Sequence, residues 1–165
     1  MSDRHFDRTL AYRNCNPLNI RYSNKVKWQG QEGQNKGFVV FNRFSMGYRA
    51  AVKILRSYHL RDIRSIRDIV RTWAPPNENK TDQYIKNVVH FMNRMYECNE
   101  APPEYCARTQ INLRDKKEVV KLLLAMTETE MGANTAQILS MRTYAELGFD
   151  MAVTAPGFFS PLSGK

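Results

Sequence analysis

Apolar and polar positions follow no fixed period over the first 24 residues, which are rich in Asn and Arg and read as an ordered loop or a short helix. From Trp28 to Phe44 the pattern changes. Gly30, Gly33 and Gly37 interrupt the segment, and Phe38, Val39, Val40 and Phe41 are strong strand formers, so a small β-hairpin is predicted. After Ser45 the period becomes helical. Met46, Ala50, Ala51, Ile54, Leu55 and Tyr58 form one stripe of an amphipathic helix, with Ser45 as its expected N-cap. Ser65 and Asp68 resemble a capping box ahead of Ile66, Ile69, Val70 and Trp73, and Pro75 and Pro76 should stop that helix. Thr81 is predicted to cap a third helix that turns Tyr84, Val88, Phe91, Met92 and Met95 inward. Asp115 and Glu118 open a fourth helix through Val119, Val120, Leu122, Leu123 and Met126, and Gly132 is placed to end it. A fifth helix is expected from about Thr135 to Leu147. Pro156, Gly157, Pro161 and Gly164 then suggest an extended tail.

The sum is a mainly α (α+β) chain with one small hairpin. Residues 1–150 are expected to form a single domain and residues 151–165 an extended C-terminal tail. With 165 residues, 42% hydrophobic and 25% charged, the chain can bury a core without metals or disulfides. No apolar run approaches the eighteen residues of a membrane span, and the first twenty residues lack the apolar centre of a secretory signal. Cys15, Cys98 and Cys106 are read as reduced thiols of a protein made in the cytoplasm, with Cys98 and Cys106 the alternative pair. Charge is unevenly placed. Residues 1–73 carry fifteen Lys and Arg against five Asp and Glu, whereas residues 74–165 carry ten against eleven, so the net charge of +9 resides in the first half. Such asymmetry favours a polyanionic partner, whether nucleic acid, anionic membrane or cell-wall polymer.

Glu130 is the leading candidate for chemistry. It lies at the end of the most apolar helix, in AMTETEMG, where apolar neighbours and the negative end of the helix dipole both disfavour a carboxylate. A glutamic acid kept protonated near neutral pH is what a glycosidase requires to protonate a leaving oxygen. Glu128, two residues earlier, points to another face of the helix and cannot act as its pair.

Four segments carry a resemblance. Ala125 to Gly132 resembles the A-I-x-x-x-E-S-G string around the acid of lysozyme-like peptidoglycan hydrolases and lytic transglycosylases, with Glu130 at the acid's position. Asn16-Pro17-Leu18-Asn19-Ile20-Arg21 is similar to the N-L-F-G-I-K motif of the bacterial N-acetylglucosaminidase branch. Phe38 to Ser45 resembles its strand-then-helix element, and Thr81 to Lys86 its T-D-P-x-Y-x-x-K element. The whole chain resembles phage and prophage virion-associated proteins of suspected cell-wall-degrading function. The resemblance implies a lysozyme-like fold that cleaves the glycan strand of peptidoglycan, with Glu130 as general acid and no cofactor. It also requires a circular permutation, because in those enzymes the acid-bearing helix comes first. The family glycine is Asn19 here, a residue that tolerates left-handed backbone, and a family tyrosine falls on Asn79.

A glycan groove needs flat apolar surfaces and polar groups for hydroxyls and amides. Asn16, Asn19, Trp73, Asn79 and Tyr84 are the candidate substrate-binding residues. Asn16 and Asn19 are equally suited to holding their own loop, and Trp73 and Tyr84 to packing in the core. Glu32 and Glu78 are the candidate second carboxylates; without one, the substrate's own hydroxyl or N-acetyl group must attack. His5, His59 and His90 lack metal-ligand spacing, so no metal is expected.

Peptidoglycan is thus the expected partner, with other virion proteins as further ones, and reaching the wall requires a holin, virion or injection route. Two alternatives come from other classes. One is a non-catalytic virion protein that keeps the scaffold. The other is nucleic-acid binding through Arg56, Arg61, Arg64, Arg67 and Arg71, although these also suit the solvated side of an amphipathic helix.

Overall fold

The computed structural model describes residues 6–74 and 77–162; the side chains of Glu78, Asn79 and Pro161 lie outside that description. Seven α-helices and one antiparallel hairpin make up the described chain: α1 (Leu10–Arg13), β1 (Gln31–Asn35), β2 (Phe38–Phe41), α2 (Phe44–Leu60), α3 (Ile66–Trp73), α4 (Glu78–Arg94), α5 (Lys116–Met131), α6 (Thr135–Ser140) and α7 (Arg142–Val153). A 3-10 turn, Ser160–Leu162, follows. The mainly α reading therefore holds.

The hairpin closes through Lys36 and Gly37, whose φ values of 53° and 86° suit the two-residue turn that matches strand twist. Beside β2 runs the loop 14–22. The Val39 N–H donates to the Ile20 carbonyl at 3.0 Å, the Tyr22 N–H to Gly37 at 2.8 Å, and the Phe41 N–H to Asn14 at 2.8 Å. This N-terminal loop thereby becomes a ragged third edge of the sheet.

α5 is the central element, with Val119, Val120, every residue from Leu122 to Thr127, and Met131 buried. α4 packs on it through Tyr84, Val88, Phe91 and Met92. α2 and α7 cross closely at Gly148, where a Cβ would stand 2.8 Å from the Ser45 carbonyl oxygen and 2.7 Å from the Arg49 nitrogen. Gly148 lets the two backbones touch. One buried polar pair ties α2 to α5: the Tyr48 and Thr127 hydroxyls are 2.8 Å apart, and Thr127 also donates to the Leu123 carbonyl at 2.8 Å.

Several boundaries differ from the sequence reading. Ser45 is buried in the first turn of α2 rather than capping it, because Phe44 already adopts helical backbone. Asn77, not Thr81, caps α4 by accepting the Lys80 N–H at 3.3 Å, which gives the helix one more turn and buries Thr81. The Asp115 cap forms, accepting from the Glu118 N–H at 3.2 Å. The Glu118 carboxylate reaches instead to the Asn112 N–H at 2.6 Å and the Tyr105 hydroxyl at 3.1 Å. The expected fifth helix is two, broken at Met141, and α7 continues to Val153. Residues 154–162 beyond it are not an extended tail. Phe158 and Leu162 are buried, and Arg56 clamps the segment by donating to the Phe158 carbonyl at 2.6 Å while lying over its ring. The expected stops at Pro75 and Pro76 lie outside the described residues.

Candidate active site

Glu130 is placed by the last turn of α5. Gly132, with φ 61° and ψ 35°, takes the left-handed cap, and the Ala133 N–H returns to the Glu128 carbonyl at 3.2 Å. That cap leaves the Glu130 carbonyl to another donor. The Asn19 side-chain amide supplies it at 3.0 Å, from a backbone with φ 51°. The N-terminal loop is thus fastened to the end of the fourth predicted helix, 111 positions away in sequence.

The Glu130 carboxyl is half-buried. Burial pushes its pKa up to about 7, and the Asn19 amide, the Tyr84 hydroxyl and the positive charge of Arg21 hold it from rising further. Tyr84 comes from α4, is 5% exposed, and donates to the Met126 carbonyl at 3.5 Å. Its own pKa is raised well above the ordinary value by burial and by the adjacent Glu130. Arg21 lies over the Phe38 ring at 5.1 Å, which anchors its cation beside the site. Glu128 points elsewhere, with a carboxylate 3.9 Å from the Arg94 guanidinium; burial raises its pKa and the Arg94 and His90 charges oppose that.

The structure thus brings Glu130, Asn19 and Tyr84 together. It separates the other candidates. Asn16 is fully buried, its amide donating to the Ile20 and Val39 carbonyls and its oxygen accepting from the Ile20 N–H, all at 2.9 Å. It holds the loop and has nothing left for a substrate. Trp73 packs beneath the same loop, its indole N–H donating to the Leu18 carbonyl at 3.1 Å and its ring meeting Tyr58 edge-on. Glu32 stands on the exposed face of β1, where its charge acts on Cys15, raising a thiol pKa already raised by burial. No described carboxylate acts on Glu130. Glu78 and Asn79, as side chains, lie outside the described residues. Sequence reasoning missed Arg21 as a charge on the acid, although it follows Asn19 by two positions in the loop that reaches Glu130.

Two cavities, of about 530 and 660 Å³, lie away from this site, the first between α4, α5 and α7, the second between the start of β1 and α2. Among the described residues no cluster of three or more His, Cys, Asp or Glu side chains is positioned to hold a metal ion. No described helix is long and apolar enough to cross a membrane. Cys15 is a half-buried free thiol, and Cys98 and Cys106 are exposed free thiols. The arginines of the nucleic-acid alternative do not share one helix, since α2 ends at Leu60 and α3 begins at Ile66. Arg56 binds Phe158, Arg61 lies over Tyr58, Arg64 bonds the His59 carbonyl and Asp62, and Arg67 pairs with Asp68.

No protein-family model matches the chain. A curated relative, Protein P5 of Pseudoalteromonas phage PM2, is 36% identical over 83 residues, 47% of this chain and 52% of P5. The chain is related to a phage protein. It spans about half the length of that relative.

Proposed function

We propose that this phage-related protein cleaves the glycan strand of peptidoglycan, with Glu130 as general acid. The observation that carries this reading is a half-buried glutamic acid with a pKa pushed up to about 7, at the meeting point of α5, α4 and the N-terminal loop. Near neutral pH a large share of such a group holds a proton and can give it up to a leaving glycosidic oxygen. Asn19 and Tyr84, from two separate elements, fix the surroundings of the carboxyl.

The reaction proposed is a single-acid one. Glu130 donates its proton to the glycosidic oxygen as the bond from that oxygen to the anomeric carbon breaks. The sugar's own 6-hydroxyl attacks the same carbon, and its proton passes to the Glu130 carboxylate, so the acid is restored and an anhydro product results. Peptidoglycan would be the partner, together with other virion proteins, and the protein would reach the wall from the cytoplasm by a virion, holin or injection route.

A second reading is a non-catalytic virion component, for which the relationship to a phage protein is the support. Glu130→Gln decides between them. It removes the proton donor while keeping the shape, so glycan cleavage should fall by about 10²–10⁴. Cleavage unchanged in that variant would remove Glu130 from the mechanism, and cleavage undetectable in the native chain would support the second reading.

A further inference from the structure

The strongest unassigned feature is the cleft of about 660 Å³ between the start of the hairpin and α2. Its walls include Lys27, Trp28, Gln29 and Gln31 from the chain leading into β1, and Arg49 and Lys53 one turn apart on α2. No carboxylate lines it, and among the described residues none of Lys27, Arg49 or Lys53 forms an ion pair. The nearest acid in sequence, Glu32, acts on Cys15 instead. Some cations elsewhere have an acid partner, as Lys116 has Asp150 at 2.9 Å and Arg142 has Glu146 at 3.0 Å. Here three cations line one cleft without an ion pair. The Lys53 pKa is lowered by burial and by repulsion from Arg49 and Arg56, so an anion in the cleft would relieve a strain already present.

The loop that carries the indole is rigidly set. The Trp28 N–H donates to Gln31 Oε1 at 3.1 Å and the Gln31 N–H returns to the Trp28 carbonyl at 3.1 Å. Gly30, with φ 81°, lets this loop lie against α2, because a Cβ there would stand 2.5 Å from the Met46 side chain. Trp28 therefore stands half-exposed beside the cations, held by its own turn.

We propose that this cleft binds a phosphorylated sugar unit, with Lys27, Arg49 and Lys53 taking the phosphate and Trp28 taking the flat face of the sugar ring. Gln29 and the side-chain amide N–H groups of Gln31 supply partners for ring hydroxyls. A phosphate fits the unmatched triad because charge-assisted bonds to several cations stabilise it far more than a neutral hydroxyl. A single indole and flanking amides favour a sugar over a nucleic-acid strand, whose successive bases would call for successive stacking rings along a basic groove. The site is independent of Glu130 and of the reaction proposed there.

Binding is read on the ¹⁵N-labelled full chain from its indole N–H resonances, that of Trp28 being assigned with Trp28→Phe. Glucosamine 6-phosphate should shift the Trp28 resonance and leave that of Trp73 in place, while glucosamine at the same concentration shifts neither. Inorganic phosphate should bind more weakly than the phosphorylated sugar. Arg49→Gln and Lys53→Gln, each retaining the native spectrum, should weaken binding by about tenfold. Three results would overturn the assignment: no Trp28 shift at millimolar glucosamine 6-phosphate, inorganic phosphate binding as tightly as the sugar phosphate, or thymidine monophosphate binding more tightly than both. The same experiment on Glu130→Gln should give unchanged binding, which keeps this test separate from that of catalysis.

Discussion

A carboxyl group that titrates near neutral pH leaves two signatures, one in activity and one in stability. As a general acid Glu130 must hold its proton, so glycan cleavage should decline as pH rises through about 7. Asn19 and Tyr84 both hold the Glu130 pKa down. Asn19→Gly keeps the left-handed backbone open and removes the amide, and Tyr84→Phe removes the hydroxyl. Each should move the basic limb of a kcat/KM profile to higher pH. The stability signature has the opposite sense to that of a salt-bridged acid. Below 4.5 the carboxyl is protonated in folded and unfolded chains alike and makes no difference. Between 4.5 and about 7 the unfolded chain releases the proton first, so folding becomes progressively costlier, and above about 7 the full penalty of about 3 kcal/mol applies. Glu130→Gln should therefore be more stable than the native chain at pH 8, by up to that amount, with the gap closing towards pH 4.5. Urea denaturation at the two pH values checks it.

At the scale of elements, the close crossing of α2 and α7 depends on a missing side chain. Gly148→Ala would press a methyl group on the backbone of Ser45 and Arg49, which cannot swing aside as a flexible side chain would. It should cost about 1–3 kcal/mol, read as a lowered midpoint in thermal or urea unfolding. The helices and the hairpin were legible because their apolar periods are long and their ends carry Ser65, Asp115 and Gly132, all of which act where local chemistry places them. Ser45 and Thr81 misled for one reason. A hydroxyl before an apolar stripe signals a cap, but packing drew each into its helix, and the boundary moved to Arg43 or Asn77. The docked C-terminal segment was illegible because its anchors, Arg56 and Arg114, lie 102 and 45 positions away. The Glu130 neighbourhood was half legible. Helix end and apolar context marked the acid, and the family resemblance marked the turn at Asn19, whereas the roles of Asn16 and Trp73 depend on hydrogen bonds to loop carbonyls that no spacing encodes.

For the molecule as a whole, the net charge of +9 sets the terms of any encounter with an anionic polymer. Screening shortens the reach of surface charges to about 8 Å at physiological ionic strength. Cleavage of intact cell walls should therefore fall as salt rises from low to physiological levels, while cleavage of short neutral glycan fragments should change much less. Turbidity clearing and fragment release, followed across a salt series, separate the two.

The most direct measurement of the central claim is mass spectrometry of purified peptidoglycan digested by the native chain and by Glu130→Gln. The native chain should release glycan fragments with anhydro ends, and the variant should release almost none although it remains folded. Release of the same fragments by Glu130→Gln, or an intact glycan strand after digestion by the native chain, would contradict the role given to Glu130.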